Sequence, residues 1–172
     1  MRLKSGFRNQ RLTMASVIAA ALCFCASTIA DEGTIGIPKA VPFAATADVP
    51  EAVKNECQLG EKVSAYLEQF ASNVKVSDQH KEGRYIDMTI TEVVGSGGGA
   101  WSGPKWMEVT GTLKDNDKAV ASFRAKRFST GGAFGALKGT CSIMERCTKT
   151  IAKDISIWLQ APVDNAELGD AR

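Results

Sequence analysis

Three long stretches of the sequence alternate apolar and polar residues. Of all the features of the sequence, this alternation most strongly limits the folds that the chain can adopt. The stretches run over residues 85–94, 105–114 and 119–129. A period of two is typical of β-strands that bury one face and leave the other in solvent. Turn residues at 115–118 (Asp-Asn-Asp-Lys) separate the last two stretches and predict a β-hairpin. The residues expected on the buried face are Ile86, Met88, Ile90, Val94, Met107, Val109, Leu113, Ala121, Phe123 and Ala125.

Two other segments carry apolar residues at steps of three and four, which is the spacing of amphipathic helices. The first segment lies within residues 50–73 and the second within 142–160. Shorter strands are predicted at 34–45, where Pro38 and Pro42 interrupt the apolar run, and at 74–77. The residues expected in the two buried helical stripes are Leu59, Val63, Tyr66, Leu67 and Phe70, and Ile143, Cys147, Ile151, Ile155, Trp158 and Leu159.

The order of these elements is β-α-β-β-β-β-α, which predicts an α+β fold. The predicted strands and helices are each apolar on one face only. They bury these faces most simply when the helices cover one face of the sheet. We therefore expect a four- to five-stranded mixed or antiparallel sheet with two helices packed on one face. The polar residues 161–172 have little to bury and are predicted to be a disordered tail.

The first 30 residues have the layout of a secretory signal peptide. Residues 1–11 are basic, residues 12–30 are apolar or small, and Asp31 and Glu32 follow. We expect cleavage after Ala30, with a retained membrane anchor as the alternative, so that a single domain over 31–160 acts in the periplasm or outside the cell. The leader holds four of the 21 Lys and Arg residues and no acid, which leaves 17 basic against 19 acidic residues. That balance does not favour nucleic acid as a partner.

Export would place three cysteines, Cys57, Cys141 and Cys147, in an oxidising compartment. Ser142 and Glu145 match a capping box, which predicts that the second helix begins at Ser142 and leaves Cys141 just outside it. A local Cys141–Cys147 disulfide is then possible, and it is the pairing we predict. Cys57 bonded to either partner is the alternative, because two cysteines six residues apart in one continuous helix would point about 240° apart.

No constellation of catalytic residues emerges from the sequence. The chain has one histidine, His80, in a charged turn, and neither Ser96 nor Ser102 lies in a nucleophile motif. The segment Gly-Ser-Gly-Gly-Gly-Ala at 95–100 matches half of a dinucleotide fingerprint, but Pro104 and a strand follow where a helix is required. We therefore expect no enzyme activity, no cofactor and no metal site.

Several segments resemble an uncharacterised family of exported bacterial proteins. They are Glu-Cys-Gln-Leu-Gly at 56–60, Gly-Gly-Ala-Trp-Ser-Gly-Pro at 98–104, Gly-Gly-Ala-Phe-Gly at 131–135 and the stretch from Cys141 through Lys153-Asp154-Ile155. The order of elements is also similar to the small periplasmic domains of outer-membrane secretion lipoproteins and to the amino-terminal domain of the Tol-system β-propeller protein. The resemblance implies a role in the cell envelope without a catalytic assignment. The chain lacks the small residue that precedes a lipid-modified cysteine, so lipid anchoring is not implied.

The residues expected to meet a partner lie on the outward face of the sheet and in a glycine-rich loop. They are Trp101, Trp106, Arg124 and Lys126. Together they suggest a non-enzymatic binding or assembly module that engages an envelope protein or an apolar ligand. Two alternatives remain open at this point. One is a small-ligand receptor or enzyme with a site between the two glycine-rich loops and Cys57 as a free thiol, and the other is a secreted inhibitor of another protein.

Overall fold

The computed structural model describes residues 33–95, 105–129 and 139–171, and these form an α+β fold around one mixed sheet. The six strands lie in the order β2-β1-β3-β4-β5-β6. The α+β class predicted from the sequence is confirmed, with one strand more than expected. The elements are β1 (Ile35–Ile37), α1 (Glu51–Cys57), α2 (Leu59–Phe70), β2 (Val74–Val76), β3 (Arg84–Val94), β4 (Lys105–Asp115), β5 (Lys118–Ser129), α3 (Thr140–Trp158) and β6 (Ala166–Gly169).

The centre of the sheet is the antiparallel array β3-β4-β5. Strands β4 and β5 pair from Lys105 opposite Ser129 to Asp115 opposite Lys118. The two residues between them, Asn116 and Asp117, have φ of 47° and 66°, so both are left-handed. Two left-handed residues make a turn whose twist matches that of the strands it joins, which explains the tight hairpin. The hairpin predicted from the alternation is confirmed.

A bulge in β3 changes one of the predicted core positions. The register with β4 shifts between Ile90 and Glu92, so that two residues of β3 stand opposite one of β4. Beyond the bulge the alternation of side chains reverses, and Val93 is buried while Val94 is only half-buried. The prediction that Val94 faces the core is therefore wrong, because a strict period of two holds only as far as Ile90.

The outer strands are short and parallel to their neighbours. Strand β1 pairs with β2 on one side and with β3 on the other, and β6 pairs with β5 from Phe123 opposite Ala166 to Lys126 opposite Gly169. The prediction of a disordered tail over 161–172 is wrong, because residues 166–169 are ordered as β6. The tail buries little apolar surface and instead satisfies its backbone by pairing with β5.

The helices pack on one face of the sheet. The first predicted helix is divided into α1 and α2 by Gln58, which has a left-handed φ of 51°. Val63 and Leu67 of α2 and Ile151 and Ile155 of α3 are fully buried, as their spacing predicted. Phe123 of β5 meets Trp158 of α3 edge to face, with ring centroids 4.9 Å apart, which closes the core at the carboxyl end of α3.

A disulfide joins the first and last helices. Cys57 at the end of α1 is bonded to Cys141 in the first turn of α3, and Cys147 is a buried free thiol. The predicted Cys141–Cys147 bridge is wrong, because α3 begins at Thr140 and contains both residues, which then point in different directions. Glu145 does not act in a capping box. It accepts hydrogen bonds from Tyr66 at 2.6 Å and Lys62 at 3.1 Å across the α2–α3 contact.

None of the helices in the described part of the chain combines the length and the apolar character that crossing a membrane requires. The leader predicted over residues 1–30 lies outside the described residues, as do the glycine-rich segments at 96–104 and 130–138.

Candidate functional site

The side of the sheet opposite the helices is the candidate site. It is called the open face here, and it is formed by the outward side chains of β3, β4 and β5. The three described helices all pack on the other side, where the hydrophobic core lies. Paired residues on neighbouring strands share a face, so the strand register gives the layout of this surface as rows across the sheet. The side chains of the open face are Asp87, Thr89, Thr91, Glu92, Val94, Trp106, Glu108, Thr110, Thr112, Lys114, Ser122, Arg124, Lys126 and Phe128.

An apolar row lies at one end of the open face. Val94, Trp106 and Phe128 stand side by side on β3, β4 and β5. Phe128, at the β5 end of the row, is 59% exposed, which is a large exposed fraction for a phenylalanine. The indole N–H of Trp106 is buried and has no hydrogen-bond partner among the described residues. An exposed aromatic ring beside an unsatisfied indole is a feature of surfaces that bind another molecule.

The next row neutralises its own charge. Lys126 donates a 2.8 Å hydrogen bond to Glu92, and its ammonium lies 5.6 Å from the centre of the Trp106 ring. This bond from Lys126 lowers the pKa of Glu92, and the nearby Trp106 indole adds to the effect although its N–H does not reach hydrogen-bond geometry. Lys126 is therefore fixed above Trp106 as part of the surface rather than held out as an isolated cation.

Arg124 is also paired within the protein. Its guanidinium donates to Glu167 at 2.8 Å and to the carbonyl of Ala171 at 3.0 Å, and it lies 3.6 Å from Glu108. The hydrogen bond to Glu167 and the charge of Glu108 raise the pKa of Arg124. These partners are not predictable from the sequence, because Glu167 and Ala171 depend on the register between β5 and β6 and Glu108 on the register between β4 and β5. With both cations paired, the open face does not offer a bare positive patch to an anionic partner.

The far end of the open face is polar. Lys114 donates to Asp87 at 2.9 Å, and this hydrogen bond lowers the pKa of Asp87. A shallow cavity of about 320 Å³ lies beside this pair, lined chiefly by hydroxyl groups and by the Lys114–Asp87 pair. Tyr85 closes this end by donating a short hydrogen bond to Asp117. The residues around the cavity are Asp87, Thr89, Thr110, Gly111, Thr112, Lys114, Ser122 and Phe123.

The structure brings together three of the four residues predicted to meet a partner. Trp106, Arg124 and Lys126 all lie on the open face, within two neighbouring strands. Trp101 lies outside the described residues. Phe128 was not singled out from the sequence as a contact residue, although it is paired with Trp106; the alternation of β5 places it outward and would have identified it.

The described residues offer little for catalysis. Cys57 is bonded to Cys141, so the hypothesis of a free Cys57 thiol is wrong. Burial raises the pKa of the Cys147 thiol to about 11, which keeps it protonated and unreactive. His80 is half-buried and packs edge-on against Tyr85, with ring centroids 6.5 Å apart. Among the described residues no group of three or more His, Cys, Asp or Glu side chains is placed to hold a metal ion.

Comparison with solved structures finds chains of similar fold. No protein-family profile and no curated protein matches the chain. The PelC dodecamer from Paraburkholderia phytofirmans is similar, with a TM-score of 0.44 and 11% identity over 71% of this chain and 88% of that chain. A second crystal form, of a PelC variant, gives a TM-score of 0.43 and 12% identity over 71% and 86%. A likeness at this level carries no argument about function.

Proposed function

We propose that the chain is an exported, non-enzymatic protein of the cell envelope that acts as a binding or assembly module through its open face. The observation that carries the proposal is the apolar row of Val94, Trp106 and Phe128 on a sheet face that the described helices leave uncovered. Burying such a row against a partner is favourable, and aromatic residues supply most of the energy in interfaces of this kind.

The paired charges support a protein as the partner. Lys126 with Glu92 and Arg124 with Glu167 leave the face close to neutral, so binding does not depend on a strongly charged polymer. An interface with an apolar centre and a polar rim is the common pattern in protein complexes. A small apolar ligand is less well supported, because the cavity on this face is shallow and lined by polar groups.

The disulfide and the leader support export. A disulfide between α1 and α3 is typical of proteins that fold in an oxidising compartment. The layout of residues 1–30 supports the same location from the sequence. The proposed site of action is therefore the periplasm or the outside of the cell, after cleavage near Ala30.

The test is photo-crosslinking in the cell that produces the protein. A photoreactive phenylalanine analogue replaces Phe128, which is a conservative change at an exposed position. The same analogue at Ile157, which lies on α3 and is 55% exposed against 59% for Phe128, is the matched control. We expect a discrete adduct with an envelope protein from position 128 and none from position 157. Equal adducts from both positions, or none from position 128, would contradict the proposal.

A second variant separates a specific contact from general stickiness. Trp106→Ala removes the centre of the apolar row and leaves Phe128 exposed. We expect this change to lower the yield of the adduct from position 128 at least fivefold, while the melting temperature confirms that the protein remains folded. An unchanged yield in a folded Trp106→Ala protein would show that the apolar row is not the binding surface.

A further inference from the structure

The C-terminal segment, defined as residues 163–171, is bound to the rest of the protein by polar contacts at the outer edge of β5. Asp170 donates its backbone N–H to the carbonyl of Lys126 at 2.8 Å, and its carboxylate accepts the backbone N–H of Phe128 at 3.2 Å. Trp158 of α3 donates its indole N–H to the carbonyl of Val163 at 3.0 Å. Among the apolar side chains of the C-terminal segment, Ala171 is buried, Ala166 and Leu168 are half-buried and Val163 is exposed, so polar contacts carry much of the attachment of the segment.

Three acidic residues of the C-terminal segment, spaced three apart, each meet a side chain of β5. Asp164 accepts from Ser122 at 2.5 Å, Glu167 from Arg124 at 2.8 Å and Asp170 from Arg127 at 3.3 Å. Parallel pairing from Phe123 opposite Ala166 to Lys126 opposite Gly169 fixes the register of these contacts. An extended segment held by backbone pairing and by side chains in a fixed register is how proteins bind peptides at a sheet edge.

The receiving side of this contact is built from other parts of the fold. Asp154 of α3 holds the Arg127 guanidinium by two hydrogen bonds, of 2.7 and 2.9 Å. Arg127 also packs closely against Gly169 of the segment. A Cβ added at Gly169 would lie 2.5 Å from Arg127 Nε, and Gly169 has a φ of +68°, so this position favours glycine. A bidentate pair of this kind fixes the orientation of the guanidinium, so α3 and not the C-terminal segment positions Arg127 for Asp170.

The connection from α3 to the C-terminal segment has the features of a hinge. It runs only from Leu159 to Pro162, and Pro162 favours extended backbone at Ala161. Val163, at the start of the segment, is 59% exposed. Short hinges favour the exchange of a terminal element between copies of a protein, because a brief connection limits how the element can fold back onto its own copy.

We propose that the C-terminal segment is exchangeable, and that two copies of the chain associate when each places its residues 163–171 on the β5 edge of the other. Each contact of the segment is kept in the exchanged form, and only the hinge changes its course. Because the two exchanged contacts are identical, the association closes as a symmetric pair and does not extend into a filament. The exchange takes place at the edge of the sheet, and it does not require a partner on the open face, although Arg124 borders both surfaces.

Disulfide trapping in the full chain tests the exchange. Arg124 and Glu167 are directly opposite in the β5–β6 register, and both side chains are about half exposed. One protein carries Arg124→Cys and a second carries Glu167→Cys, and the two are mixed and mildly oxidised. A mixture of Arg124→Cys with Glu61→Cys, a change at an exposed position of α2, measures random collision. The doubly substituted chain, Arg124→Cys with Glu167→Cys, measures closure within one copy.

The expected result is a mixed disulfide between Arg124→Cys and Glu167→Cys chains at ten or more times the level of the Glu61→Cys control, rising with protein concentration. A mixed product no greater than the control, with closure of the doubly substituted chain only within itself, would overturn the proposal. Failure of the doubly substituted chain to close at all would also overturn it, because β6 would then not lie on β5.

A hinge variant gives an independent measurement on a chain without added cysteines. Three glycines inserted after Pro162 relieve the hinge and let the segment return to its own copy. We expect the unmodified protein to show a dimer fraction by gel filtration with light scattering that grows with concentration, and the insertion to lower that fraction at least threefold. Identical elution of the two proteins at every concentration would contradict exchange.

Discussion

Removing the Cys57–Cys141 disulfide should cost a large part of the stability of the fold. The bond joins residues 84 positions apart, and closing a loop of that length in the unfolded chain accounts for about 4.5 kcal/mol in the chain-entropy account. Domains of this size are stable by about 5–15 kcal/mol in total, so the loss is a third or more of the whole. The effect resides mainly in the unfolded chain, so the native contacts of α1 and α3 need not change.

Urea unfolding with and without a reductant measures this effect. We expect reduction to lower the free energy of unfolding of the unmodified protein by about 2–4.5 kcal/mol. The protein with Cys57→Ala and Cys141→Ala should not respond to the reductant at all. Cys147→Ala is the matched control, and in that variant the response to the reductant should persist in full.

Two results would refute the reasoning. Equal stability of the unmodified protein with and without reductant would mean that the bond contributes nothing to folding. A response that disappears in the Cys147→Ala variant would mean that Cys147 takes part in the bond, which is the pairing predicted from the sequence and contradicted by the start of α3 at Thr140.

Three further predictions follow from the packing and the charges. A Cβ at Gly111 would come within 2.5 Å of the Phe123 ring, so Gly111→Ala should lower the free energy of unfolding by about 1–3 kcal/mol, as measured by urea unfolding. Gly33→Ala is the control: a Cβ there meets no atom of the described residues within 4 Å, so the same measurement should change by less than about 0.5 kcal/mol. The hydrogen bonds that Glu145 accepts, from Tyr66 first and then from Lys62, lower the pKa of Glu145. Their contribution to stability is therefore present at neutral pH and is lost as the pH falls through that lowered pKa. An NMR titration should give a higher pKa for Glu145 in the Tyr66→Phe variant, and an unchanged pKa would contradict the assignment. Cys147, with a pKa of about 11, should remain unmodified by iodoacetamide at pH 8 in the folded protein and react only after unfolding, as mass spectrometry would reveal.

The sequence carried enough information for the centre of the fold. Met107, Val109 and Leu113 alternate strictly and are all fully buried, because β4 has a neighbour on each side and one continuous core face. The stripe of α3 was equally clear, since Ile151 and Ile155 repeat at the helical period. In β4 and in α3 the local sequence pattern agrees with the tertiary environment. The spacing of apolar residues is then sufficient to predict which side chains are buried.

The parts that were missed depend on contacts distant in sequence. Strand β6 has only four residues, too few for the alternation of Ala166, Glu167 and Leu168 to predict a strand, and it forms because β5 has an edge that its backbone can pair with. The break at Gln58 accompanies the close approach of Gly60 to Val41, where a Cβ would lie 2.3 Å from the Val41 carbonyl oxygen. No feature of the helical period predicts this approach.

The disulfide was mispredicted because of a small shift in a helix boundary. A start at Ser142 would have left Cys141 outside the helix, whereas the helix starts at Thr140 and includes it. Helix boundaries are the least certain part of a sequence pattern, and here two residues changed which thiols could meet. For the candidate site, Trp106, Arg124 and Lys126 were found from the alternation, while their ion-pair partners were not, since these come from β3, β4 and the C-terminal segment.

The place of β1 inside the sheet has a consequence for the growing chain. Ile35 pairs with Val74 of β2 and Gly36 pairs with Tyr85 of β3. The ribosome therefore synthesises β1 about 40 to 50 residues before these two neighbouring strands. At roughly 5–20 residues per second, this leaves a delay of about 2 to 10 seconds. During that time Ile35 and Ile37 have no sheet to enter, and the nascent polypeptide exposes an apolar strand until β2 and β3 have been synthesised.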